Sequence, residues 1–381
     1  MTQTLPRRAM RAAKLACAAS MLTLTASLTT APTTAMADDS HMHPGAPEAH
    51  APIMVMGDHR HKAGEYMVSL RRMDMSMSGN VKGTDNIADS AVLSLPNQHA
   101  NPPMSPPFMR VVPQKMDMQM TMLGAMYAPS DRVTLLAMFM HIENEMLLQA
   151  YNNMDLTPCA SFASTSKGTG DTTLGALIEG GATANGTWHY GLGLSLPTGS
   201  IEETGRPAAT PMGCNAATMQ MRLPYPMQLG SGSYDLKPSL TYNGDWRGWR
   251  IGAQANAVLR LNDNDADYRL GDRFEVQGWA MRRLTDWLSA SVRLDISRQG
   301  KMDGQDAAIT LPVTTAQTAS SGGTYANISL GLNLIGQTGA LGGVLAGHRL
   351  ALEWVSPLHQ DANGVQMKRD DTLMLGWQKA F

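Results

Sequence analysis

The chain has 381 residues, with 30 Lys and Arg against 32 Asp and Glu and a formal net charge of −2. This balance, with basic residues scattered along the chain, gives no nucleic-acid footprint. Beyond Leu28 no apolar run reaches about 18 residues, which excludes membrane-spanning helices and leaves a closed barrel as the only route across a bilayer.

In chain order, Arg7, Arg8, Arg11 and Lys14 precede an apolar stretch from Leu15 to Leu28, and Ala35-Met36-Ala37 supplies small residues for cleavage before Asp38. Residues 1–37 therefore read as a signal peptide. Cys17 lies at the start of the apolar stretch and leaves with it, so Cys159 and Cys214 remain as an even pair in an oxidising compartment. Both fall in expected outer loops, and a disulfide between them is predicted.

Residues 38–63 hold His41, Met42, His43, His50, Met54, Met56, His59 and His61 in a Pro-rich, polar context. The segment is expected to hang in the periplasm, too polar to fold alone. The His-x-His pairs His41 with His43 and His59 with His61 offer imidazoles to a transition metal, and the methionines offer softer ligands to reduced copper. Copper is the only cofactor these residues suggest.

From residue 64 onward, apolar and polar residues alternate. Trp188, Tyr190, Leu192, Leu194 and Leu196 oppose His189, Gly191, Gly193 and Ser195, and Leu288, Ala290, Val292, Leu294 and Ile296 oppose Ser289, Ser291, Arg293 and Asp295. Such runs match a wall with lipid outside and water inside. The count is about twelve strands, an even number as bacterial barrels require. They lie near 64–77, 116–128, 131–147, 170–183, 186–197, 231–244, 247–262, 267–284, 286–298, 324–336, 346–357 and 370–381. Short turns near 129–131, 185–186, 243–245 and 285–286 interleave with mostly longer connections at 78–115, 148–169, 198–230, 299–323 and 358–369.

The aromatics sort with these turns. Tyr127, Trp188, Tyr242, Trp249, Trp287, Trp377 and Phe381 lie beside the periplasmic turns or chain end, while Tyr234, Tyr268 and Tyr325 mark the outer side. The last strand places Leu373, Leu375, Trp377 and Phe381 on one face. A closing strand of a soluble sandwich is the alternative for that segment alone, but a sandwich has no reason to sort aromatics in this way. The fold class is an all-β, transmembrane antiparallel barrel over 64–381, in the bacterial outer membrane.

Four stretches carry a family resemblance. They are Gly170-Asp171 through Ala176-Leu177, the run from Leu194 to Ser200, the run from Met227 to Asp235, and the run from Tyr268 to Arg273. These resemble a family of outer-membrane transporters named for the meta-pathway of phenol degradation. The resemblance implies a barrel that passes small molecules; it brings no catalytic residues and does not identify phenols as cargo. The aromatic carboxyl-terminal strand likewise resembles the ending that outer-membrane assembly machinery reads.

Arg250, Arg260, Arg269, Arg273, Arg283, Arg293 and Arg349, with Asp235, Glu275, Asp295 and Glu353, are placed on the lumen face. They either favour anionic or polar solutes or pair across strands to hold the interior together. Met73, Met75 and Met77 alternate with Asp74, Ser76 and Ser78, and Met116, Met118, Met120 and Met122 with Asp117, Gln119 and Thr121. The second set reads as lipid contact. In the first, Tyr66, Val68 and Leu70 set a parity that turns Met73, Met75 and Met77 inward, where they join the metal-ligand candidates.

His141 with Glu143 and Glu145 is the one cluster that suggests an enzyme, and no serine motif accompanies it. The expected function is a channel or transporter for small solutes, with a copper-binding barrel as the alternative and no enzymatic role. Its partners are outer-membrane lipids, the assembly machinery and a small-molecule solute, with no nucleic acid.

Overall fold

A computed structural model describes residues 46–102, 105–207, 220–336 and 346–381. Eleven hydrogen-bonded elements form the wall: β1 (Tyr66–Gly83), β2 (Val111–Ser130), β3 (Val133–Tyr151), β4 (Thr172–Thr183), β5 (Gly186–Leu196), β6 (Asp235–Trp246), β7 (Trp249–Arg260), β8 (Arg273–Thr285), β9 (Leu288–Gln299), β10 (Gly323–Ile335) and β11 (His348–Ala380). Each pairs antiparallel with the next, and β11 pairs with β1 to close the ring. Closure leaves no unpaired edge, the condition for a sheet to stand in hydrocarbon.

β11 is 33 residues long and would extend about 110 Å if straight. It is not straight, because Trp377 Nε1 donates to His348 Nδ1 at 3.0 Å, joining its two ends. The Gln360 side chain also bonds both the backbone N–H and the carbonyl of Arg369. The chain doubles back beside Gly364, whose φ of +68° suits glycine. Ten elements with one pass each and a doubled eleventh give twelve passes, the even number that the alternation predicts.

Alternation explains the two faces. Leu135, Phe139, Trp188, Tyr190, Leu192, Leu294, Ile296, Leu330, Leu373 and Leu375 are among the large apolar residues exposed on the outside, a surface that water does not tolerate and lipid does. Ser195, Thr241, Gln254, Gln277, Ser289, Arg293, Asn333 and Gln378 are buried on the inside of the same strands. Tyr66 stacks on Phe381 at 4.9 Å between ring centroids, and the two residues exchange backbone hydrogen bonds at the seam. The turns after β2, β4, β6 and β8 lie at that same end.

Several outer features differ from expectation. Residues 148–169 are mostly strand, because Pro158–Thr169 pairs with the upper half of β3 and leaves only 152–157 between them. Residues 358–369 likewise lie within β11. Tyr268 and Tyr325, expected in an outer aromatic girdle, are buried. Tyr268 joins Leu223, Tyr225, Met227, Ile309, Leu311 and Val313 in an apolar core where the outer loops fold over the mouth, and Tyr325 lies beneath the Arg369 guanidinium.

Candidate functional site

Residues 46–63 do not hang free: this stretch runs into the barrel and plugs it from the end that holds the seam. Several of its backbone polar groups bond to the inner wall, which offsets part of the cost of burying an irregular segment. Ser289 donates to the Pro47 carbonyl at 2.8 Å, Arg349 to Ala51 at 2.5 Å, Gln254 to Met56 at 2.9 Å and Asn243 to Asp58 at 2.6 Å. In return, the Met54 N–H donates to Glu353 Oε2 at 2.8 Å. Ile53 occupies the space left by Gly376, where an added Cβ would lie 2.5 Å from Ile53 Cγ1. His41 and His43 lie outside the described residues.

The charged residues assigned to the lumen are mostly paired. Arg293 Nε donates to Glu353 at 2.7 Å and its Nη1 to Asp295 at 2.5 Å, with all three side chains buried. Arg250 pairs with Asp245 at 3.0 Å, Arg260 with Asp235 and Arg273 with Glu275. Arg283 holds Glu48 of the plug at 2.7 Å, and Arg349 holds Ala51, Asn333 and Gln378. Arg269 is also paired but does not face the lumen. It lies in the outer loops, bonded to Asp303 at 2.9 Å, because the short ladder of Tyr268–Arg269 with Asp303–Gly304 stands apart from the wall.

The opposite wall is methionine. Register sets Met73 opposite both Met374 and Met120, Met75 opposite Met118, Met77 opposite Met116, and Met122 opposite Met140. The expectation that Met116, Met118, Met120 and Met122 contact lipid is overturned. Leu123 and Tyr127 are the large apolar residues exposed on β2, while Met116 and Met122 are buried. Ile53, Met122, Ala351 and Met374 form a buried cluster against which Met54, Met56, Met73, Met120, Met138 and Met140 pack.

Between the plug and the outer-loop core lies a cavity of about 420 Å³. Met54, Met56, Met122, Met126 and Met138 line one side, and Lys237, Gln254, Asn256, Arg273, Glu275 and Arg293 the other. Arg71 and Lys237, not singled out from sequence, also face this cavity. The parity of Tyr66, Val68 and Leu70 that turned the methionines of β1 inward turns Arg71 inward as well.

The metal-ligand candidates do not converge on one point. Met73 packs with the plug methionines and Met77 with the outer core, whereas His59 gathers with His50 and Asp58, all three ligand atoms lying within 4.8 Å of one another. His61 adjoins, its ring 4.9 Å from that of His59. Burial, then the neighbouring His59 and Arg349, hold His50 well below the ordinary imidazole value. Burial and His59 push His61 down to about 4. Burial alone would raise Asp58, but the charge and hydrogen bond of His59 outweigh it and keep the carboxyl well below its usual range.

Cys159 is disulfide-bonded, and Cys214 lies outside the described residues, as does the stretch read as a signal peptide. His141 and Glu143 stand 3.5 Å apart and half-exposed on the outside of β3, where Lys167 also pairs with Glu143 at 2.9 Å.

Among solved structures, the chain is similar to an outer-membrane channel from Pseudomonas putida F1, with a TM-score of 0.52 and 14% identity over 86% of this chain and 99% of that one. The toluene transporter TodX of P. putida overlaps at 0.42 with 10% identity over 84% and 91% of the two chains. The translocator domain of the autotransporter NalP from Neisseria meningitidis overlaps at 0.41 with 8% identity over 85% and 91%. At 14% identity the overlap with the P. putida F1 channel bears on the fold and not on cargo. No family model matches the chain and no curated protein does. The resemblance to the phenol-pathway family therefore rests on its four short stretches. The fold and its lipid-facing belt define an all-β barrel of the bacterial outer membrane.

Proposed function

We propose that this barrel is a plugged outer-membrane channel for small solutes that have an apolar body and a polar or charged end. The observation supporting this reading is the two-sided cavity, methionine on one wall and paired charges with amides on the other. A volume of about 420 Å³ suits a small organic molecule. Thioether side chains adapt to varied apolar shapes, while the fixed polar groups orient one end of the guest. With loops above and plug below, passage requires the 46–63 segment to shift.

The test is conductance and solute uptake in bilayers and vesicles, comparing the full chain with a variant lacking residues 46–63. The full chain should conduct weakly and the shortened barrel many-fold more. Equal conductance in the two would sink the reading, provided that the shortened barrel still shows the heat-dependent gel shift of a folded barrel.

A further inference from the structure

We propose that His50, Asp58 and His59 form a binding site for a divalent transition-metal ion, with His61 beside it as a further ligand. The site ties the two limbs of the plug together, since His50 precedes the apolar stretch around Ile53 and Asp58 follows it. The inference stands apart from the identity of the solute.

Three observations carry it. The ligand atoms of His50, Asp58 and His59 lie within 4.8 Å of one another. Ligands about 2.0–2.1 Å from one tetrahedral ion stand about 3.3 Å apart, so small side-chain rotations close the set. His50 Nδ1, His59 Nε2 and His61 Nε2 are buried without a hydrogen-bond partner, an arrangement that is costly unless something else satisfies them. Finally, the carboxylate is already oriented. Asp58 Oδ2 accepts the Ala51 N–H at 2.9 Å, leaving Oδ1 beside His59 Nδ1 at 2.9 Å. Ligating carboxylates are commonly held by such a bond on the other oxygen.

The rings pack edge to face, His50 on His59 at 4.5 Å and His59 on His61 at 4.9 Å. Arg349 and Arg71 are nearby cations; the Arg349 donors are engaged by Ala51, Asn333 and Gln378, and Arg71 Nη1 by the Met56 sulfur. Imidazoles with one carboxylate suit zinc or cupric ions. The methionines of the wall lie outside this set and are not needed for it.

The test uses the full chain refolded in detergent, titrated calorimetrically with zinc chloride and, separately, with cupric sulfate followed by electron paramagnetic resonance. One ion should bind per chain, and the cupric spectrum should carry nitrogen splitting from at least two imidazoles. The double variant His50→Gln with His59→Gln should lose about tenfold or more in affinity, and Asp58→Asn should weaken binding while keeping the side chain's volume. The variant His41→Gln with His43→Gln should bind as the parent does. Each variant is scored only if it keeps the heat-dependent gel shift; the Asp58→Asn arm decides the matter if the double variant fails to fold. No binding by the parent, unchanged affinity in the plug variants, or loss confined to the His41 and His43 variant would overturn the proposal and leave the Asp58 and His59 ion pair as a structural contact only.

Discussion

The two sides of the lumen solve one problem by different means. Across β1, β2 and β3 the inward positions are filled mainly by methionines that pack against each other and against the plug, with Arg71 among them. Across β6 to β11 arginines, carboxylates and amides that neutralise one another take most of the polar inward positions. A closed barrel demands that its interior be satisfied, not that it be polar. The methionine wall achieves this by volume, with many adaptable contacts; the charged wall does so by specific geometry. The first should therefore tolerate substitution and the second should not.

The largest expected effect lies on the charged wall. Glu353→Ala leaves Arg293 without its main counter-charge and the Met54 N–H without its acceptor. Losing one member of a buried pair costs about 3–5 kcal/mol, to be read as a shift in the urea midpoint of unfolding in vesicles. Adding Arg293→Met should recover only part of that loss, because Asp295 then keeps Asn327 as its remaining partner. Full tolerance of Glu353→Ala would erase the contrast between the walls.

A smaller effect is expected on the methionine wall. Met→Leu at Met73, Met120, Met122 or Met374 conserves volume and should cost less than about 1.5 kcal/mol each. Combined, the four should slow vesicle uptake of solutes with an apolar body, since branched leucine adapts less than methionine. Unchanged uptake would assign these residues to packing alone.

The smallest effect is expected outside the ring. His141→Ala or Glu143→Gln alters an exposed cluster and should leave unfolding and uptake as they were. Ester hydrolysis should be absent in the parent as well. Hydrolysis by the parent that disappears in His141→Ala would show the cluster to be catalytic.

Much of this architecture is legible in the sequence because it is local. The outward stripes of β5, β9 and β10 can be read from alternation alone, as can the turns and the aromatics beside them. The methionines of β2 depart from the expected face for an identifiable reason. Asp117, Gln119 and Thr121 are polar, so judged by polarity they take the inside. The face is set instead by Leu123 and Tyr127 further along the strand, and the polar residues outside are those of a strand continuing past the apolar belt. The plug is not legible in the sequence for a different reason. Its composition does describe a segment that cannot fold alone, but its partners are Ser289, Gln254, Asn243, Arg349 and Glu353, far away in sequence. The grouping of His50 with Asp58 and His59 follows from the turn that the plug makes inside the wall, which no local spacing reveals.

The seam between Tyr66 and Phe381 has a consequence for how the molecule is made. The plug is joined directly to β1, and β1 can pair with β11 only after the last residues of the chain are available. Until then the sheet is an open cylinder, with its first strand and the segment ahead of it beside the gap. If 46–63 settles against β9 and β11 before the gap shuts, the barrel forms around it; otherwise the segment must be threaded into a finished ring past Arg283 and Arg349. In the first case the hydrogen bonds from Ser289 and Arg349 would form before the wall closes, fixing the inside of the vessel ahead of its last seam.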